Sequence, residues 1–340
     1  MKAYNLYGVN DLRYENVQMP ELPSGWALVK VGACGICSSD IPRIYKNGTY
    51  HFPTVVGHEF SGVVEKTANA ADSHWVGKRV AVFPLIPCKK CEQCKNKHYE
   101  MCSDYNYLGS RCDGGFSEYV AVPVWNLIEL GDSISYEEGA LFEPLAVALH
   151  CVNQAQLRGG ETVAVIGSGA IAFAVGQWAK IKGAAQVSIV ARSKNKEFIA
   201  ERTGLEFVTG ENIEGKFYDV VVEAVGTQES LISAIEHARA GGKIVAMGNP
   251  AGDMNLPQAV YWKILRKQLT VIGTWNSFYD GANMSDWIEV RDALINKTID
   301  AKSLITHYFN KDNVVDGLEL MKNHKAPYCK VMTVWEDKTK

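Results

Sequence analysis

No run of about 18 uncharged apolar residues occurs anywhere in the 340-residue chain, so no membrane-spanning helix is expected. A basic excess is missing too. The 35 Lys and Arg stand against 38 Asp and Glu, and a formal net charge of -3 leaves no electrostatic footprint for nucleic acid. The opening stretch MKAYNLYGVNDLRYENV lacks the apolar core of a secretion signal, which makes a cytoplasmic protein the expectation. Internal repeats and low-complexity stretches are absent. The chain is 47% hydrophobic, ample for a large core and for more than one domain. Nine cysteines without a secretion signal point to metal chemistry rather than disulfides.

Two textures divide the chain. Residues 1–145 are rich in Gly, Pro, Val and short alternating runs such as WALVKVGACGI, FSGVVEKT and KRVAVFPLI, which read as short strands with tight turns. Residues 146–284 alternate strand and helix patterns. ETVAVIG, QVSIVA, YDVVVEAVG and KIVAMG read as buried strands. AIAFAVGQWAKIKG, KNKEFIAERTG and QESLISAIEHARAGG read as helices, and PQAVYWKILRK with QLTVIGTW continues the series. That alternation predicts an α/β fold with a parallel, doubly wound sheet. Residues 285–340 are mixed and end in a strand, KVMTVW, expected to rejoin the first part.

VAVIGSGAIA places Gly167, Ser168, Gly169, Ala170, Ile171 and Ala172 between a strand and a helix as G-x-G-x-x-A. The first Gly makes a tight turn; the second lets backbone N–H groups approach a pyrophosphate at the helix N-terminus. A further absence follows. The strand that should hold the cofactor ribose ends in Ala191 and Arg192, where an acid usually binds a free 2′-OH. Arg192, Ser193 and Lys194 suit a 2′-phosphate instead, so NADP is expected over NAD. Val225, Gly226 and Gly248 end later strands at the sheet edge where such ligands lie.

Cys88, Cys91, Cys94 and Cys102 are spaced C-x2-C-x2-C-x7-C, fitting a closed structural zinc site. An iron–sulfur cluster is the rival, with nothing else in the chain suggesting electron transfer. A dispersed set, Cys37, His58, Glu59 and Glu143, offers a thiolate, an imidazole and carboxylates for an open zinc site. Taken singly, each of these also has an ordinary structural explanation.

Taken together, GICSSD, GHEFSG, the four-cysteine run, DGGFSEY and FEP, followed by the dinucleotide loop, resemble the zinc-dependent medium-chain dehydrogenase/reductase superfamily along essentially the whole chain, and within it the polyol dehydrogenases. The resemblance implies a mostly-β GroES-like catalytic domain from 1–145 and 285–340 with a zinc lobe at 88–102. It implies a Rossmann domain from 146–284, and a cleft between the two for zinc and substrate. Cys37, His58, Glu59 and Glu143 match its catalytic-zinc positions, although members differ in which carboxylate binds directly. Asp40 matches an acid that orients the ligating His, Ser39 the hydroxyl that takes the alcohol proton, and Lys330 a base that reaches the cofactor pyrophosphate. Two zinc ions per chain are implied. Some members carry a relay His where this chain has Pro42; the proton path past Ser39 is open among cofactor ribose, water and Glu59.

The resemblance further implies hydride transfer with NAD(P) on a small-molecule polyol and assembly as a homodimer or homotetramer, with QLTVIGTW as the joining edge. Arg43, Lys46 and Arg111 near the zinc loop suggest a phosphorylated, galactitol 1-phosphate-like substrate, with Trp275 walling the pocket. Pentitol phosphates, reduction of ribulose 5-phosphate, and unphosphorylated polyols such as sorbitol fit the same chemistry. A non-catalytic zinc-lobe protein and a zinc-free quinone reductase are the remaining alternatives.

Overall fold

The strand Trp26–Ile36 is the spine of the first unit. Its first half pairs with Tyr119–Pro123, its whole length with Glu59–Thr67, and its second half with Lys330–Val334, all antiparallel. Arg79–Val82 and Leu127–Glu129 extend the sheet on one side, and Ile305–Asn310 extends it on the other. The register does chemical work. It sets Gly35 opposite Glu59 and Ile36 opposite Val331, so a carboxylate and Lys330 arrive side by side although they are far apart in sequence. Gly35 is required there, because a Cβ on it would overlap the Glu59 carboxylate. In this computed structural model the described residues are 1–250, 252–281 and 285–336.

The second unit holds a six-stranded, all-parallel sheet. Its order is Glu206–Thr209, Gln186–Ala191, Thr162–Ile166, Tyr218–Glu223, Ala238–Ala246 and Thr270–Gly273. Strand order reverses beside Thr162–Ile166, the arrangement of a doubly wound nucleotide fold. Helix Ala170–Ile181 follows the first strand, and Gln228–His237 follows the fourth. Three inner strands, Gln186–Ala191, Thr162–Ile166 and Tyr218–Glu223, are almost wholly buried and run mostly apolar, as burial on both faces demands.

Contacts divide the chain into Met1–Glu143, Phe278–Asn296 and Ile305–Lys340 in one unit, and Pro144–Ser277 with Lys297–Leu304 in the other. Packing explains the returns. Tyr279 and Trp287 pack against Phe83 of the first unit, tilted and edge-on, at centroid distances of 5.0 and 5.3 Å. Residue 300 exchanges two backbone hydrogen bonds with the Gln177 side chain of the second. Met284, the last residue of the expected middle domain, lies outside the described residues. So do 337–340 at the end of the expected third segment.

Two boundaries differ from the pattern reading. The helix read through ARAGG stops at His237, and Ala238–Ala246 is strand. Lys267 Nζ donates to the carbonyls of Ile235, Glu236 and Ala238, which closes the helix by satisfying its last acceptors. The helix read from Lys194 begins at Glu197, after a 3-10 turn Lys194–Lys196. Among the described residues no helix is long and apolar enough to cross a membrane.

Candidate active site

Cys37 leaves the end of the spine strand, and Asp40–Pro42 turns helically behind it. His58 and Glu59 open the neighbouring strand, and Glu143 sits in the first turn of helix Phe142–Ala155. Donor atoms of Cys37, His58 and Glu59 lie within 4.8 Å of one another. Ser39 Oγ donates to Cys37 Sγ at 3.3 Å. Asp40, with no exposed surface, accepts the Cys37 backbone N–H on Oδ2 at 3.0 Å, and its Oδ1 lies 3.5 Å from His58 Nδ1.

Burial pulls His58 down, but Asp40 and Cys37 hold it well above the ordinary imidazole value. Burial pushes Glu143 up, and Glu59 nearby opposes its ionisation further. Buried His58 Nδ1 has no hydrogen-bond partner. A thiolate, an imidazole and carboxylates in such surroundings fit a divalent cation, and zinc suits that donor mixture.

Lys330 is not at a solvent-facing edge. It is buried, and its Nζ donates to both oxygens of Glu59 at 2.6 and 2.7 Å. Burial lowers this ammonium and Glu59 raises it, with the net above the ordinary lysine range. The expected reach to a pyrophosphate would have to be made from within this buried ion pair. Arg43, expected on the substrate, is bound instead to Asp40 Oδ1 at 2.7 Å. Lys46 is exposed in the π-helical turn Arg43–Asn47. Arg111 lies between two rings, 4.2 Å from the Tyr50 centroid and 4.4 Å from that of Tyr105. It donates to Tyr105 O at 3.1 Å and Tyr50 Oη at 3.3 Å. Exposed His51 turns Nε2 to the Arg111 carbonyl, while Nδ1 lies 3.1 Å from both the Pro53 carbonyl and the Thr54 hydroxyl.

Tyr107 escaped the sequence reading. Half-buried, it donates its hydroxyl to Glu143 Oε1 at 3.1 Å, and its ring meets His58 edge-on at 5.8 Å. An aromatic residue between the cysteine lobe and a Gly turn carries no signal that would have singled it out.

The four lobe cysteines converge, with Sγ–Sγ distances of 3.9 Å for Cys88–Cys94 and for Cys91–Cys102. A tetrahedron with metal–sulfur bonds of about 2.3 Å has edges of about 3.8 Å, so the lobe fits one ion and is too tight for a cluster. Backbone N–H bonds dominate in lowering Cys91, to about 6, as suits a thiolate ligand.

In the second unit, Gly167 has φ +127 and its N–H bonds Val190 O at 2.9 Å, making the turn. A Cβ on Gly169 would meet nothing within 4 Å, so packing does not require that glycine, and space for a ligand backbone remains. Ser168, Ala170 and Ile171 lie along the same turn and first helical residues. Arg192, Ser193 and Lys194 are exposed at the carboxyl end of Gln186–Ala191. Glu223, also missed, ends Tyr218–Glu223, which flanks Thr162–Ile166 on the other side. Its Oε1 accepts from Val225 N (2.7 Å), Gly226 N (2.8 Å) and Ser230 Oγ (2.7 Å), and its carbonyl accepts from Met247 and Gly248 N–H. Gly226, at φ +84, and Gly248 approach so closely that a Cβ on either would overlap backbone of the other's loop. Trp275 is 52% exposed.

Comparison with known proteins places this geometry in a family. Residues 23–132 match the alcohol dehydrogenase GroES-like domain, and residues 170–292 match the zinc-binding dehydrogenase domain. Galactitol 1-phosphate 5-dehydrogenase of Escherichia coli (strain K12) is 33% identical over 290 residues, covering 82% of this chain and 84% of the relative. Sorbitol dehydrogenase of Bacillus subtilis (strain 168) is 28% identical over 354 residues, covering 98% and 96%. The crystal structure of galactitol-1-phosphate dehydrogenase from Escherichia coli superposes with a TM-score of 0.91 at 30% identity, covering 98% of this chain and 100% of that one. A zinc-binding dehydrogenase from Sinorhizobium meliloti 1021 bound to NADP superposes with a TM-score of 0.89 at 28% identity, and an alcohol dehydrogenase from Escherichia coli CFT073 with NADH at 0.89 and 27%; each match covers 98% of this chain and 99% of the other. These matches, falling on a chain whose cysteine lobe and Cys37–His58 group have the geometry of metal sites, establish that it belongs to the zinc-dependent medium-chain dehydrogenase/reductase family, among its polyol dehydrogenases, and is an NAD(P)-dependent oxidoreductase.

Proposed function

We propose that the chain interconverts a polyol phosphate and its ketose phosphate, using NADP(H) in preference to NAD(H), with one catalytic and one structural zinc per chain. The observation that carries the phosphate is Arg111. Two aromatic faces hold its guanidinium, and two of its five donors are used within the protein, leaving the others for an anion. Exposed Lys46, four residues before the Tyr50 that packs on Arg111, adds charge, whereas the bond to Asp40 takes Arg43 out of the free set. The Escherichia coli relative named for a phosphorylated polyol supports the same reading. Trp275 stays assigned to the substrate.

Cys37 and His58 would hold the catalytic ion, with Glu59, whose donor atom groups with theirs, or Glu143, which is free of the Lys330 pair, as the carboxylate. When bound, zinc supplies Lewis-acid polarisation of the substrate oxygen. Asp40 would orient His58, Tyr107 would orient Glu143, and Ser39 would accept the alcohol proton while passing its own on toward solvent; the nicotinamide, when bound, would supply the hydride acceptor. Glu59 is a weak candidate for the next proton carrier, since its charge is held by Lys330. The glycine loop would carry the pyrophosphate, and Val225, Gly226 and Gly248 the far side of the cofactor. Arg192, Ser193 and Lys194 support the 2′-phosphate. For assembly as a dimer or tetramer, the edge strand Thr270–Gly273, with Val271 51% exposed, is the proposed joining edge.

A second reading, an unphosphorylated polyol, is favoured by the near full-length match to the Bacillus subtilis sorbitol dehydrogenase. Initial rates on galactitol 1-phosphate, galactitol and sorbitol, each with NADP+ and NAD+, decide between them. A strong preference for the ester is expected, and it should fall in Arg111→Met. Equal or faster turnover of the free polyols refutes the phosphate site. Activity on none of the three moves the test to pentitol phosphates.

A further inference from the structure

We infer that Arg43 is a positioning residue of the catalytic centre, holding Asp40 and through it Cys37 and His58, and not a ligand of the substrate phosphate. The inference rests on the zinc reading of that centre. Arg43 lies three residues after Asp40 on one helical turn, so the two side chains share a face. Its own backbone is fixed at both groups, with its N–H on Ser39 O and its carbonyl accepting from Gly48. The side chain is only 19% exposed, and its Nη1 lies 2.7 Å from an Asp40 oxygen that solvent does not reach.

Asp40 is the joint of this arrangement. One oxygen takes the Cys37 backbone N–H, and the other faces both Arg43 and His58 Nδ1. With Nδ1 turned to Asp40, the remaining ring nitrogen is the one available to a metal. Arg43 is the group that decides where that shared oxygen sits. Without the guanidinium, Asp40 keeps only one close donor, the Cys37 N–H, and is free to rotate. Both ligand positions then lose their common anchor. A residue spent in this way has little left for a phosphate, although its type and place in sequence suggest one.

The test uses the full-length, zinc-loaded protein and the variants Arg43→Met and Arg43→Lys. Zinc per chain is followed during dialysis against a chelator, with rates on galactitol 1-phosphate and galactitol measured alongside. Loss of partners around a metal-ligating His typically weakens metal binding about 10–100-fold. Arg43→Met should therefore release one of two zinc ions about 10–100-fold faster, keep the other, and leave the ester-to-polyol ratio of kcat/KM unchanged; Arg43→Lys should recover part of the retention. Wild-type zinc retention with a collapsed ester preference overturns the inference and makes Arg43 a phosphate ligand. Should Arg43→Met fail to fold, Arg43→Lys and Asp40→Asn decide by the same zinc readout, and wild-type retention in both overturns it. A wild-type protein that holds only the lobe zinc sinks the inference together with the zinc reading. Two zinc ions without discrimination between ester and polyol sink only the phosphate reading.

Discussion

Replacing Lys330 by Met removes the counter-charge of Glu59, a carboxylate 1% exposed to solvent. Two terms compete. The pair itself has a small net worth, because desolvating two ions cancels most of their attraction. The carboxylate left behind is the larger effect, since breaking a buried pair by removing one partner costs about 3–5 kcal/mol. At about 2–4 °C per kcal/mol for a unit of some 150–250 residues, the Tm should fall by about 6–20 °C. The sign against pH follows from the raised Lys330: its contribution is fully present below the ordinary lysine pKa and is lost only as pH rises through the higher folded value. The stabilisation supplied by the Lys330 charge in the wild type should thus be constant through the neutral range. The assay is thermal unfolding of Lys330→Met, Glu59→Gln and the double variant, with and without chelator. The chelator arm matters because a released Glu59 is free to join the metal, and ligand binding to the native state masks part of the loss. The double variant should recover most of the Tm. A Lys330→Met protein within about 2 °C of wild type in chelator, or a double variant no better than the single, refutes the reasoning.

Three further outcomes are expected. Cys94→Ser should lower the zinc content from two to one per chain by metal analysis and reduce stability, because lobe folding and metal binding are one equilibrium. Glu223→Ala leaves three donors without their carboxylate acceptor, at about 1–3 kcal/mol for each that water fails to reach; the Kd for NADPH, read by nicotinamide fluorescence, should rise more than that of Ser230→Ala, which removes one donor. Arg192→Ala should lower kcat/KM for NADP+ about 10–100-fold and leave NAD+ nearly unchanged, as expected for one charged hydrogen bond of about 1.5–3 kcal/mol; equal losses for the two cofactors would show that Arg192 does not read the 2′-phosphate.

What could be read from the sequence is what short spans encode. Period and punctuation mark the parallel strands and their helices, and Gly167 to Ala172 form a turn whose reason is local. The cysteine lobe is legible for the same cause, since its four ligands fall within one loop. Partners chosen by sheet register are a different matter. Lys330 meets Glu59 across 271 positions because two strands flank the same spine, and no spacing rule reaches that far. Without the register, a lysine before an apolar strand and a glutamate after a histidine each invite a ligand role. The ion pair shows that they first answer each other.

Arg43 and Glu223 are intermediate cases, and they show what a stricter reading would use. An acid and a base three apart on a helical turn, D-x-x-R, already imply an ion pair. A free phosphate ligand at Arg43 therefore required a reason for that pair not to form. Likewise, a glutamate closing the apolar run YDVVVE has no solvent on either side of its strand, so its charge must be met by nearby donors. The following Val225 and Gly226 are the nearest backbone N–H groups, and Gly226 is free to adopt the left-handed turn that aims them back. In both cases the obligation to satisfy a buried charge comes before any ligand. Arg111 and Lys46 in the first unit and Arg192 and Lys194 in the second, which the proposed function gives to substrate and cofactor, are not tied into buried ion pairs of this kind.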